Sequence, residues 1–296
     1  MRVITLLCCL LSIAAAAPTA PVVSEVLATQ IALDRAGFSP GEIDGRQGKN
    51  LQRALEAYQR SHEEPIPLVG DVAPLVEYTT TDADVAGPFT PDIPANLPDQ
   101  AALEALNYRT PLEAIAERFH SSPALLQQLN RQATFQKAGE HIMVPNVATA
   151  SLSVPASSAS GITLVVTKST SALTIEDPKG QVLFHAPVTS GSTHDPLPIG
   201  TWKVTGVERN PKFHYNPELF WDATPGDRKA TLQPGPNNPV GVVWIDLSKP
   251  HYGIHGTPEP SKIGHVESHG CVRMTNWDAD RVAQWVKPGT RVVFRE

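Results

Sequence analysis

A chain of 296 residues, 41% hydrophobic and 18% charged, can bury a full core and is long enough for about two or three domains. Its formal net charge of -6 and pI near 5.9 exclude the basic face that a nucleic-acid partner would require. With 28 prolines and 20 glycines, it favours turns and linkers over long helices.

The chain opens with Met1-Arg2-Val3, an apolar run from Ile4 to Ile13, and Ala14-Ala15-Ala16-Ala17-Pro18. That charged, apolar, small-residue order predicts a secretory signal peptide over 1–17, cleaved after Ala16 or nearby. The apolar run is too short to span a bilayer, and no other stretch approaches about twenty apolar residues. An exported, soluble mature protein without a transmembrane segment is therefore expected. Cys8 and Cys9 fall inside the leader, which leaves Cys271 as the one thiol of the mature chain and allows no internal disulfide. The plain reading of such a residue is an inert buried cysteine; the sharper one is a free reactive thiol. A lipoprotein cysteine fits poorly, because Leu7 precedes Cys8 and the small-residue site lies further on.

Residues 22–70 are expected to form a small helical domain. Val26, Leu27, Gln30, Ile31 and Leu33 fall at helical spacing, Gly37 ends that run, and Leu51, Ala54, Leu55 and Tyr58 make a second apolar stripe. Between them, Gly37-Phe38-Ser39-Pro40-Gly41-Glu42-Ile43-Asp44-Gly45 reads as a turn. An ordinary helical hairpin would satisfy this pattern. The set Gln30, Leu33, Gly37-Phe38, Pro40-Gly41, Ile43-Asp44-Gly45, Gly48, Ala54 and Gln59 resembles the peptidoglycan-binding domain that accompanies bacterial wall enzymes. Residues 71–105, rich in Pro, Asp and Thr without sustained period, read as a linker with short ordered pieces.

In 106–147, Leu112, Ile115, Ala116, Phe119, Leu125, Leu126 and Leu129 fall at helical spacing. Ser122-Pro123 predicts the start of a second helix, and Gly139 to Pro145 a short strand. Tyr108, Thr110, Leu112, Ile115-Ala116, Phe119, Leu125, Leu129-Asn130, Gly139, Ile142 and Val144-Pro145 resemble a LysM glycan-binding module, with Thr110-Pro111 standing where Gly-Asp is usual. An Ala/Ser linker follows at 148–160. From 161 to 296 the pattern turns to β runs at 162–167, 173–176, 182–188, 200–206, 241–247 and 291–294, with one helix near 276–287 capped by Thr275 and Asp278. This predicts a mostly antiparallel β domain with one C-terminal helix.

Ser268-His269-Gly270-Cys271-Val272-Arg273-Met274, with His255 in Ile254-His255-Gly256-Thr257 upstream, carries the chemistry. A free thiol titrates near ~8.5, so a neighbouring histidine is expected to draw off its proton. Cys271 is the candidate nucleophile and His255 the candidate base. The carbonyl of Gly256 is placed to accept the second imidazole proton and fix the tautomer. Gly270 permits a tight turn that brings backbone N–H groups toward an oxyanion, with His269 as an accessory donor or prop. Arg273 is a candidate partner for a substrate carboxylate or a loop anchor, and Ser268 a local hydrogen-bonding residue. A zinc site built from His251, His255, His265, His269 and Cys271 is the rival, but neither a helical His pair nor paired-cysteine spacing supports it.

Ile254-His255-Gly256-Thr257, Gly264 and Ser268 to Met274 are similar to the signature of the L,D-transpeptidase catalytic domain, the YkuD domain. Pro198-Ile199-Gly200-Thr201-Trp202 and Gly235-Pro236-Asn237-Asn238-Pro239-Val240-Gly241 stand where its periplasmic ErfK/YbiS/YcfS/YnhG-like group has similar runs. The resemblance implies a β sandwich or flattened barrel that works without metal or other cofactor. It also implies attack of the thiolate on a peptidoglycan tetrapeptide stem, release of D-alanine, and resolution of the thioester by an amine of a second stem or of a wall-linked protein. It further implies residence in the periplasm or cell wall. Resolution by water, as in an L,D-carboxypeptidase or amidase, and a non-catalytic wall-binding protein remain the alternatives. The insertion 207–239, with Phe213, Tyr215, Phe220 and Trp221, is expected to be a lid or an irregular packed loop.

Overall fold

Two helices and a tight turn open the part of the chain described by the computed structural model, which covers residues 23–66, 72–147, 161–266 and 270–296. The expected signal segment with Cys8 and Cys9, the Ala/Ser linker, and Ser268 and His269 lie outside those residues. Helix α1 (Glu25–Arg35) starts at Ser24, whose hydroxyl accepts from the Leu27 N–H at 3.2 Å. Helix α2 (Lys49–Ser61) buries Leu51, Ala54, Ala57 and Tyr58 against Leu33 and Phe38. Gln30, buried within an otherwise apolar stripe, locks the turn: its Oε1 accepts from Gly45 N at 2.8 Å and its Nε2 donates to Asp44 Oδ1 at 2.9 Å. A polar side chain is tolerated there because both ends of its amide are satisfied.

The middle unit contains β1 (Leu75–Thr79), α3 (Asp82–Ala86), α4 (Leu97–Gln100), α5 (Pro111–Arg118), α6 (Pro123–Leu129) and β2 (His141–Pro145). Thr110 and Ser122 cap α5 and α6, and each is followed by a proline at the first helical position. Strand β1 pairs antiparallel with β2 from Leu75↔Pro145 to Thr79↔His141. The short ordered pieces expected in 71–105 are thus a strand and two short helices, and β1 joins the segment to the following unit through β2. The strand escapes a periodicity search because it is short, buries one end and exposes most of the rest, and its partner lies more than sixty residues on.

The last unit comprises β3 (Thr163–Thr167), β4 (Ala172–Glu176), β5 (Val182–Pro187), β6 (Thr189–Ser190), β7 (Gly200–Arg209), β8 (Phe213–Tyr215), β9 (Ala230–Leu232), β10 (Val243–Leu247), β11 (Gly253–His255), β12 (Val272–Arg273), α7 (Asn276–Trp285) and β13 (Arg291–Arg295). Nine strands form one sheet in the order β5-β4-β3-β13-β7-β10-β11-β12-β6. Adjacent pairs are antiparallel except β13–β3 and β11–β12. The long β7 joins the two halves, pairing with β13 through its first residues and with β10 through the rest, where a bulge at Asp246/Leu247 bends the ladder. The nearly closed sheet wraps a single core in which Leu164, Leu173, Phe184 and Phe294 of one half meet Ile245, Ile254 and Val272 of the other, with Ala279, Val282 and Trp285 of α7 filling between. Each of the Leu, Ile, Val and Phe side chains contributes about 1.5–3 kcal/mol on burial.

The three units form one packed body. Residues 37–39 lie beside the outer strand β5: Ser39 N donates to His185 O at 2.8 Å and His185 N to Gly37 O at 3.0 Å. The turn thus covers an edge that would otherwise offer unpaired backbone groups. Asp34 of α1 holds Arg281 of α7 through two bonds of 2.8 and 3.1 Å, and His120 between α5 and α6 lies 3.1 Å from the same carboxylate.

Candidate active site

Strands β11 and β12 run parallel side by side, with Ile254 opposite Val272 and His255 opposite Arg273. Because side chains alternate along a strand, His255 and Arg273 share one face. Cys271, one step before β12, lies at the level of Gly253 on that same face. The thiol and imidazole are therefore diagonal neighbours at the foot of a cavity of about 1140 Å³ that Cys271, His255 and Arg273 all line. Cys271 is in no disulfide, and its Sγ donates to the His251 carbonyl at 3.7 Å.

His255 is buried and its ring stacks on Trp244, with centroids 5.3 Å apart and planes 18° apart. A Cβ at position 253 would collide with the Trp244 indole, so glycine there is what lets the indole lie against the strand pair. The imidazole Nδ1 lies 2.7 Å from the Gly256 carbonyl oxygen. A carbonyl can only accept, so Nδ1 carries the proton and Nε2 presents its lone pair. Burial holds the imidazole neutral, with its pKa lowered to about 3, and the Arg273 charge adds to that.

The thiol departs from expectation. Burial pushes the Cys271 pKa above the ordinary thiol value, and the Gly253 backbone and Arg273 offset only part of this. His255 cannot depress it, since a neutral ring offers the thiolate no positive charge. Burial thus favours the uncharged form of both groups, a thiol beside a neutral imidazole.

Gly270 takes φ +101°, a region that favours glycine, and a Cβ there would stand 2.9 Å from Tyr252 Cε1 and 3.1 Å from its hydroxyl. The turn into Cys271 is therefore tight and lies against Tyr252. Tyr252, absent from the sequence-based expectations, also lines the cavity; a lone tyrosine in a loop carries no motif, and only the fold sets it on the cavity wall beside the turn into Cys271. Arg273 is half-buried, near Glu259 and Asp222. Among the described residues, no group of three or more His, Cys, Asp or Glu could hold a metal ion. Ser268 and His269 lie outside the described residues.

More of the lining comes from the β8–β9 insertion and from the middle unit. Hairpin β8–β9 pairs Phe213 with Leu232 and Tyr215 with Ala230, and packs Tyr215 and Leu232 against Leu106. Ile93, Leu97 and Leu103 of the middle unit press on the same cluster. Tyr215 donates to Asp227 at 2.8 Å, and Asn96 donates to that carboxylate at 3.2 Å. The insertion is thus a packed wall whose exposed tip, Leu219 and Trp221, projects from it, with Trp221 stacked on His194. Arg109 and Glu113 extend the lining, so the middle unit borders the cavity directly.

Comparison with known proteins agrees with this geometry. Residues 161–294 match the L,D-transpeptidase catalytic domain (YkuD), and residues 23–65 match a family provisionally described as a peptidoglycan binding domain. The chain is 55% identical over 60 residues to a protein of Bacillus licheniformis provisionally named L,D-transpeptidase YkuD, covering 20% of this chain and 36% of that one. It is 32% identical over 121 residues to the probable L,D-transpeptidase YbiS of Escherichia coli (strain K12), covering 40% of this chain and 39% of the relative. The provisionally named L,D-transpeptidase YkuD of Bacillus subtilis (strain 168) aligns at 31% identity over 185 residues, 62% of this chain and 92% of the relative. With that relative spanned almost end to end and the catalytic-domain model matched across the nine-stranded unit, the chain belongs to the L,D-transpeptidase (YkuD) family.

Proposed function

We propose that the protein is a cysteine-dependent L,D-transpeptidase acting on peptidoglycan tetrapeptide stems, with Cys271 as nucleophile and His255 as general base. The observation that carries this reading is the 2.7 Å distance from His255 Nδ1 to the Gly256 carbonyl oxygen, which assigns the proton to Nδ1 and leaves Nε2 as acceptor on the face it shares with Cys271. As Sγ attacks the stem carbonyl, its proton passes to Nε2. The tetrahedral oxyanion is met by backbone N–H groups of the Gly270–Cys271 turn, with His269 accessory. Collapse breaks the C–N bond, Nε2 returns the proton to the departing D-alanine amine, and a thioester remains on Cys271. An incoming amine then gives up a proton to Nε2, forms the new amide and releases the thiol. Arg273, on the same face, holds a substrate carboxylate, and Ser268 steadies the turn.

A second stem or a protein amine is favoured over water as acceptor. At about 1140 Å³ the cavity exceeds the roughly 300–1,000 Å³ of a single-ligand pocket, and it is bordered by both the β8–β9 insertion and the middle unit. The peptidoglycan-binding and LysM-like units would hold the wall close, from an exported position in the periplasm or cell wall. Cys271→Ala is expected to abolish D-alanine release and crosslinked product from tetrapeptide muropeptides, while sacculus binding persists. Undiminished product from that variant would sink the assignment, and shortened stems without crosslinks from the wild type would move it to an L,D-carboxypeptidase.

A further inference from the structure

The peptide unit that fixes the tautomer of His255 is itself held from its other end. Its oxygen, on Gly256, accepts from His255 Nδ1, and its nitrogen, on Thr257, donates to Asn276 Oδ1 at 3.1 Å. The same Oδ1 accepts from Val242 N at 3.2 Å. Glycine at both 241 and 256 makes the room, since a Cβ at either position would collide with the Asn276 oxygen. Asn276 stands at the first turn of α7, is buried, and uses its other end as fully: Nδ2 donates to Pro236 O at 3.1 Å and to Glu117 Oε1 at 3.0 Å. Glu117 belongs to α5 of the middle unit, 159 residues away in sequence, and its Oε1 also accepts from the Tyr108 hydroxyl at 3.1 Å.

We infer that Asn276 is a positioning residue for the base His255, and that Glu117 is the middle unit's hold on the active site, acting through Asn276. The inference rests on the reading of His255 as base and deepens it. The two donors of an amide NH₂ are consumed by Glu117 and Pro236, so the side chain cannot flip, and the acceptor must face Thr257 and Val242. The Gly256–Thr257 peptide is then aligned with its carbonyl toward the imidazole. Hydrogen bonds at both ends of one peptide polarise it and strengthen each other. Without Asn276, the peptide is free to rotate, the Nδ1–H tautomer loses its preferred acceptor, and Nε2 is a lone-pair base for only part of the time. Burial raises the Glu117 carboxyl to about 7, which is compatible with this duty because its Oε1 accepts in either protonation state.

The test uses the mature full-length protein with a tetrapeptide muropeptide and imidazole ¹⁵N shifts of His255. Asn276→Ala and Glu117→Leu are expected to lower kcat by up to about 100-fold with KM nearly unchanged, and to move the two nitrogen shifts toward each other as the tautomers mix. Glu117→Gln keeps an acceptor oxygen and is expected to restore both readings. Wild-type shifts and kcat in a folded Asn276→Ala protein would overturn the inference; should that variant not fold, Glu117→Leu decides by the same readings. His255→Gln separates the two ideas. Full activity there defeats the base assignment itself, whereas an inactive His255→Gln beside unperturbed Asn276→Ala shifts defeats the positioning role alone.

Discussion

The junction between α1 and α7 and the pocket between β11 and β12 bury titratable groups equally well and treat them in opposite ways. At the junction, burial alone would raise the Asp34 carboxyl, but the charges of Arg281 and His120 and their hydrogen bonds outweigh it and hold the carboxyl well below its usual range. At the site, burial drives the Cys271 thiol up and His255 down, and Arg273, the nearby charge, pushes the imidazole further down. Burial sets the cost of charge in both places, and the sign of the neighbour decides whether charge survives. A structural joint benefits from a fixed ion pair. A base must stay neutral and ready to accept a proton.

Breaking the junction is expected to have the largest effect on stability. Arg281→Ala leaves Asp34 buried without its bidentate partner and should cost about 3–5 kcal/mol in thermal or urea unfolding. The pH dependence should also weaken. In the wild type the depressed Asp34 pKa contributes stability that is present above its ordinary value of 3.8 and is lost as pH falls below it. In the variant only His120 still opposes burial, so the pKa rises from its depressed value and less stability is lost between neutral and acid pH. A loss of stability on substitution that is the same at pH 3 and pH 7 would argue that Arg281 contributes packing alone.

Asp278, in the same joint, offers a smaller and subtler break. Ser39 and Thr275 each donate to its Oδ2 at 2.8 Å, yet burial and the nearby Asp34 keep its pKa raised to about 6. A raised carboxylate favours the folded state below its unfolded pKa, and that advantage is lost as pH climbs from 3.8 to about 6. Ser39→Ala removes one donor and also leaves the buried Gly41 N–H without its 3.0 Å acceptor, which should cost about 1–3 kcal/mol. Unfolding midpoints between pH 4 and 7 would check it; an unchanged midpoint would mean that the turn at 37–45 is not held by this contact.

These two regions also differ in how far the sequence exposes them. The strand runs, the Thr275–Asp278 cap and the helix starts at Thr110 and Ser122 are local patterns, readable from neighbours one to four residues apart. Gly256 could be proposed as the tautomer-fixing acceptor because it follows His255 directly. Asp34, His120 and Arg281 form no pattern at all, being 86 and 247 residues from one another by their hydrogen bonds. Asn276 resembles any residue after an N-cap until the fold shows what its amide touches. The direction of the Cys271 shift is hidden for a similar reason: the sequence places a histidine in the motif, but its charge depends on burial, which only the packed pocket sets. The turn Gly37 to Gly45 suggested a wall-binding motif, and its role in covering β5 depends on a strand in another unit.

The smallest expected effect sharpens the contrast at the site. Arg273→Met removes the charge that adds to burial in lowering His255, so the imidazole pKa should rise, and only modestly because burial remains the larger cause. If His255 must be neutral to act, activity is lost as pH falls through its pKa, and the acid limb of kcat/KM should move to higher pH. The thiol loses the same charge, one of the influences that lower it, so iodoacetamide alkylation of Cys271 should begin at a higher pH as well. Both limbs thus shift upward together, and KM for stems bearing a free carboxylate should rise if Arg273 also holds that group. An acid limb that stays fixed or moves down would mean that Arg273 does not act electrostatically on the base, leaving burial and the Gly256 carbonyl as what keeps His255 a neutral acceptor.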